Sequence, residues 1–187
     1  MKGLFLIFVA FMLAGCATGH FFSYETTPPE GNAIELKNDT LDIGAILIPE
    51  RIKLSVKNVW TSPIKILWDD ASIVVSGQSS KVIHQGIRYG DFEKPMAPTV
   101  VPPSATYSDE VVQPDREIPF SDGSWLHVGV LPKYDEGKPE TMKYNLALRA
   151  DSLLFYLPIQ IDGVEHFYKF AWRIDSVSYR NIQAGDD

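Results

Sequence analysis

The sequence predicts an all-β domain, and three observations carry that prediction. Apolar residues recur with period two from about Ile34 onward, the spacing that sets one face of a strand on a core. No window of ten or more residues shows a helical stripe, whose period would be about 3.6 residues. Near the C-terminal end Asp162-Gly163 separates two long alternating runs, and Asp-Gly suits a type I′ hairpin because both central residues must take positive φ. Many short runs joined by irregular crossovers point to a β-sandwich of immunoglobulin-like type, with a β-barrel as the alternative. A length of 187 residues leaves room for one such domain. With 17 basic against 24 acidic side chains and a single cysteine, the chain has no clustered positive footprint for nucleic acid. It also has no intramolecular disulfide, no CxxC pair and no four-cysteine metal site.

The first element is a signal segment. Lys2 supplies a positive n-region, and Leu4 to Ala14 form an uncharged apolar run too short for the ~20 residues that span a bilayer. The run ends in Leu13-Ala14-Gly15-Cys16, which resembles the lipobox of bacterial lipoproteins. The resemblance covers the N-terminal segment only, so it speaks for processing and not for fold or activity. It implies cleavage by signal peptidase II between Gly15 and Cys16, a diacylglycerol thioether on the Cys16 thiol, and acylation of the new amino group. It also implies an envelope location in which the membrane is reached through the N-terminal lipid. Ala17 and Thr18 follow the cysteine without the Asp that retains such proteins in the inner membrane of enterobacteria, which favours the outer membrane facing the periplasm. At about 0.8 kcal/mol per buried CH2, two or three acyl chains hold a protein where one does so only marginally.

Loss of residues 1–15 removes Lys2 alone among the charges, leaving 16 basic against 24 acidic side chains and a formal −8. An acidic domain is repelled by an anionic membrane surface, so the lipid must do the holding. Residues 16–33 then read as the lipidated N-terminus and a tether, because Thr26 to Asn32 lack apolar periodicity. If flexible, such a segment reaches about 20 Å. His20, Phe21, Phe22 and Tyr24 interrupt it and either rest at the bilayer interface or pack back on the domain.

The single domain is expected over 34–187. Ile52, Leu54 and Val56 alternate with Lys53, Ser55 and Lys57, and after Thr61-Ser62-Pro63 come Ile64, Ile66 and Trp68. Ile73–Val75, Val82–Ile87 and Trp125–Leu131 are further strands, with Gly77-Gln78-Ser79 and Asp122-Gly123 as turns. Lys94 to Pro103 holds four prolines and is read as an extended crossover, while Pro132 to Glu140 is a charged loop. In the hairpin, the Asp-Gly loop pairs Ile161 with Val164, Ile159 with His166, Leu157 with Tyr168, Phe155 with Phe170 and Leu153 with Trp172 on a buried face. Pro158 then needs a neighbour that asks for no N–H, which predicts an edge strand or a bulge at 153–161.

Local motifs for chemistry are absent: no Gly-x-Ser-x-Gly, His-Glu-x-x-His, phosphate loop or dinucleotide fingerprint. The reading is therefore no catalytic residues, no cofactor and no metal. His20, His84, His127 and His166 stand apart in sequence; His84 and His127 are the pair to watch for a metal or a base, and His166 reads as a core or rim residue. Asp69-Asp70 reads as a turn, and Asp135-Glu136 lacks the oxygen density of a calcium loop. Tyr156, Phe167 and Tyr179 are candidates for an exposed interaction patch. The leading expectation is a non-catalytic binding or adaptor module whose partner is an envelope protein or cell-wall component, with oligomeric state open. The rivals are an envelope hydrolase or carbohydrate-active protein, and a structural assembly lipoprotein. A polar cleft joining His84 or His127 to acidic side chains would count against the first.

Overall fold

The computed structural model describes residues 19–49, 51–85, 87, 91, 93–113, 117–119, 125–127, 130–131, 134–135, 145–149 and 151–182. Gly15, Cys16 and the signal segment lie outside these residues. The strands in chain order are β1 (Gly19–Thr27), β2 (Ala33–Lys37), β3 (Leu41–Ile48), β4 (Arg51–Asn58), β5 (Ile64–Ile66), β6 (Ser72–Val75), β7 (Gln78–Lys81) and β8 (Ile83–His84). There follow β9 (Thr99–Val101), β10 (Thr106–Val112), β11 (Glu117–Pro119), β12 (Trp125–His127), β13 (Tyr134–Asp135), β14 (Ser152–Ile161) and β15 (Val164–Ile182). One antiparallel sheet runs β13-β1-β15-β14-β5-β9, with β6 also on β14 and β7 on β6; a second runs β2-β3-β4-β10-β8; β11 and β12 form a separate pair. The chain is an all-β sandwich, and among the described residues neither main sheet closes into the alternative barrel.

Period-two burial explains how the layers meet. Leu41, Ile43, Ala45 and Leu47 of β3 and Ile52, Leu54 and Val56 of β4 face inward, while their neighbours face water. They share one core with Phe22, Ile64, Ile66, Phe155, Phe170 and Trp172 of the first sheet. That single apolar layer is the driving force of the fold.

The hairpin forms in the expected register from Ile161↔Val164 to Leu153↔Trp172. Asp162 and Gly163 take φ of 48° and 82°, the positive values a type I′ turn requires. Its face is buried all along β14, but along β15 burial sets in only toward Phe170; Val164 and His166 are exposed. His166 is therefore an exposed residue of the hairpin and not part of the core.

Three expectations need correction. The segment expected as a tether contains β1, which pairs with β15 from Gly19↔Ile182 to Thr27↔Arg173. Phe22 and Tyr24 pack into the core, so these aromatics fold back on the domain. Second, β14 is an interior strand, flanked by β15 on one side and by β5 and β6 on the other. The requirement set by Pro158 is met differently: β5 pairs at Ile159 and Gln160 and β6 at Leu153 to Tyr156, which leaves Pro158 at the gap where the neighbour changes. There the chain steps out through the 3-10 turn Trp68–Asp70, and Leu67 N donates to the Pro158 carbonyl at 3.0 Å. Third, the proline-rich crossover contributes β9, an edge strand paired with β5, as proline-flanked segments can. The Asp69-Asp70 turn is found as read, whereas the turn at Gly77 is Ser76-Gly77, with Gln78 already in β7.

Asn58, at the end of β4, holds the adjoining loops. It is fully buried, its Nδ2 donates to the carbonyls of Ser62 and Val101 at 2.9 Å each, and its Oδ1 accepts from Trp60 N at 2.9 Å. Trp60 Nε1 in turn donates to Asp162 at 2.8 Å, tying the loop to the hairpin turn.

Candidate functional site

Two arrangements carry polar chemistry, one inside the sandwich and one on its outer face. The inner one begins with the alternation of β10, which turns Asp109 inward beside Val111. Its side chain is 1% exposed. A buried carboxylate must be hydrogen-bonded or neutralised, and this one is fully engaged. Oδ1 accepts from Gln85 N at 2.9 Å and Glu110 N at 2.7 Å; Oδ2 accepts from the Tyr107 hydroxyl and from His84 Nδ1, the latter at 3.0 Å.

The protonation states follow from the geometry. Burial pushes the Asp109 carboxyl up, but the bonds from His84, Tyr107 and the two backbone amides outweigh it and hold the group below its ordinary value. An ionised carboxylate only accepts, so His84 Nδ1 carries the proton. Burial and the Asp109 bond push the Tyr107 hydroxyl up to about 12, so it stays a donor. On the first sheet's side, Trp68 Nε1 donates to Thr99 Oγ1 of β9 at 2.8 Å. The Trp68 ring meets the Tyr107 ring of the second sheet at 6.4 Å. The His84 ring stacks on Trp68 at 4.3 Å and 12°, which joins the Asp109 network to the turn after β5.

His84 therefore meets an acidic side chain, one that sequence reasoning missed. The available signal was an aspartate in the apolar phase of Tyr107, Asp109 and Val111. His84 Nε2 has no partner among the described residues, and the side chain is 12% exposed. His127 pairs with Glu117 through the β11–β12 backbone; its side chain is not among those described, nor is that of His20. Among the described residues no group of three or more His, Cys, Asp or Glu could hold a metal. Asp69 Oδ1 accepts from Met96 N at 3.0 Å and meets Lys81 Nζ at 3.2 Å; these contacts hold its carboxyl below its ordinary value and anchor the crossover.

The outer arrangement is a shallow open trough of about 760 Å³ on the five-stranded sheet. Register lays its side chains in three rows across the strands. The middle row is Glu35, Gly44, Ser55 and Ser108; one flank is Lys37, Asp42, Lys57 and Thr106; the other is Ala33, Ile46, Lys53 and Glu110. Gly44 leaves the space of a Cβ empty, and two serines continue that low floor. Glu35 pairs with Lys37 at 2.7 Å and Arg51 with Glu110 at 2.6 Å. Lys53 and Lys57 have no ion-pair partner among the described residues and stand about 13 Å apart along β4, one on each flank. Tyr156, Phe167 and Tyr179 do not form one patch: Tyr156 lies under Lys169 at 5.9 Å, Phe167 is at the hairpin tip, and Tyr179 meets Phe22 in the β1 region.

No protein-family model, curated protein or solved structure matches the chain.

Proposed function

We propose that this is a lipid-anchored lipoprotein of the bacterial envelope whose sandwich is a non-catalytic binding or adaptor module. The outer membrane facing the periplasm is its favoured site. The observation that carries the binding reading is a contrast: the Asp109 carboxylate is turned into the core with both oxygens engaged by four donors, whereas the trough offers water two unpaired ammonium groups across a low floor. Its chemistry suits an extended, polar partner bearing acidic groups, such as an envelope protein or a cell-wall component. Exchanging Ser55 for tryptophan fills the floor without touching the core. Co-sedimentation with isolated cell-wall sacculi is expected to fall at least about tenfold if that component is the partner, since a blocked contact of about 1.4 kcal/mol already costs that much. Wild-type binding that is unchanged by Ser55→Trp would remove the trough from the proposal.

Anchoring rests on the lipobox and gains a geometric consequence from β1. Gly19 lies three residues beyond Cys16, and three residues span at most about 11 Å. A lipid on Cys16 therefore holds the domain at the membrane surface, far short of the reach of a free tether. Cys16→Ser is expected to abolish incorporation of labelled fatty acid and to release the protein from the membrane fraction. Retention in that fraction would instead favour an uncleaved N-terminal helix.

The hydrolase reading is the alternative, and the His84–Asp109 pair is the observation in its favour. Asp109 fixes the imidazole with Nδ1 protonated and leaves Nε2 as the basic nitrogen, the arrangement of a general base oriented by a carboxylate.

A further inference from the structure

β15 serves two partners in turn, and this leaves part of it open. From Arg173 to Ile182 its outer edge pairs with β1, but β1 ends at Thr27, opposite Arg173. From Val164 to Trp172 only the β14 side is paired, and among the described residues nothing bonds to the other edge. Hairpin geometry settles which backbone groups are free. Ile161 and Val164 form the hydrogen-bonded pair next to the two-residue turn, so even-numbered residues bond to β14 and those of Glu165, Phe167 and Lys169 point outward. The bond from Ile174 N to Asp151 O at 2.8 Å keeps the same phase.

Such an edge is a template for another strand, and folded proteins ordinarily blunt it with proline, a bulge or a covering loop. This segment has no proline and no bulge. It also carries the two most exposed large apolar side chains among the described residues, Phe167 at 64% and Val164 at 59%. The order of side chains indicates what fits. Around Phe167 the sequence runs Glu165-His166-Phe167-Tyr168-Lys169, with opposite charges two residues to either side and an aromatic ring immediately on each side. An antiparallel copy centred on Phe167 therefore complements itself.

We propose that two copies of this chain associate through this edge, Phe167 opposite Phe167 across a two-fold axis, joining their large sheets into one. In that register Glu165 of each copy stands opposite Lys169 of the other, giving two ion pairs that bracket the phenylalanines on the outer face. Tyr168 of each copy stands opposite His166 of the other on the inner face. Glu165, Phe167 and Lys169 exchange backbone hydrogen bonds as hydrogen-bonded pairs. The interface is isologous, as a two-fold contact must be. It requires neither the lipid anchor nor the trough.

Cross-linking of the full-length chain in cells tests the contact and its register. Opposed hydrogen-bonded residues have Cα atoms about 5.5 Å apart, within the span of a disulfide. Phe167→Cys is therefore expected to give a disulfide-linked dimer on mild oxidation, above the background set by the wild-type chain with Cys16 alone. Glu165→Cys by itself is expected to give none, because its own copy lies about 13 Å along the strand. Glu165→Cys together with Lys169→Cys restores the link. Adding Lys169→Glu to Phe167→Cys opposes like charges twice and is expected to lower the dimer yield about tenfold. Adding Glu165→Lys as well recreates the complementarity and recovers the yield. Failure of both cysteine designs to link, links to a protein of another mass, or a charge reversal without effect would each overturn the proposal.

Discussion

Asp109→Ala is expected to destabilise the sandwich by about 3–5 kcal/mol, the range for breaking a buried charge network by removing one partner. The cost exceeds the loss of four bonds, because four donors stay behind around a position that is 1% exposed. Gln85 N and Glu110 N lose their acceptor, the Tyr107 hydroxyl loses its own, and His84 Nδ1 must move its proton or face a void. Urea or guanidinium unfolding checks the magnitude, and a change under about 1 kcal/mol would deny the network its structural role. The pH dependence gives a second signature. Asp109 has a depressed pKa in the folded state, so its contribution is fully present above the ordinary carboxylate range. It is lost as pH falls below the ordinary carboxylate range and through the lower folded value. The wild-type midpoint should drop more steeply in acid than that of Asp109→Ala. The same residues separate the two functional readings: for a hydrolase, His84→Gln abolishes turnover at little cost in stability, whereas for a structural staple it lowers stability and leaves partner binding intact.

What was legible in the sequence was whatever depends on neighbours along one strand. The Asp162-Gly163 turn sets the β14–β15 register without reference to the rest of the chain, because a two-residue loop admits one pairing. Pro158 shows where that logic stops. Its missing N–H constrains the adjacent strand, yet the sequence does not reveal that this neighbour is two short strands separated by a turn, so an interior position passed for an edge. Phe22 and Tyr24 were ambiguous for a similar reason. Alternation over so few residues fits an interfacial anchor as well as a strand, and only β15, more than a hundred residues away, decides between them. The Asp109 network was hidden more deeply. Its members come from β8, β9, β10 and the turn after β5, and no local motif links residues that meet only when two sheets close on each other.

Asn58→Asp provides the second large effect, and it comes from exchanging one nitrogen for an oxygen. The amide donates to two carbonyls in the wild-type fold, those of Ser62 and Val101. An introduced carboxylate turns an acceptor toward both of them, in a position with no exposure. Asn58→Ala removes those two bonds and the one that Oδ1 accepts from Trp60 N, leaving the two carbonyls and that amide unpaired, at about 1–3 kcal/mol for each stranded buried group. Asn58→Asp adds the cost of a buried negative charge against two negative dipoles, and is expected to be the worse variant at neutral pH by about 2 kcal/mol or more. The ordering has a pH signature opposite in sense to that of Asp109. Desolvation and the carbonyls raise the folded-state pKa of the introduced acid above its unfolded value. The neutral form is thus favoured in the fold, and the excess penalty grows as pH rises through the unfolded value toward the folded one. In acid the protonated group can donate to one carbonyl, so the gap between the two variants should narrow. Both retain Asp109, whose own acid sensitivity cancels in the difference. Unfolding midpoints of the pair at about pH 4 and pH 7 read the effect directly, and a gap that stays constant or widens in acid would show that Asn58 does not hold β4 to β9 through its amide nitrogen.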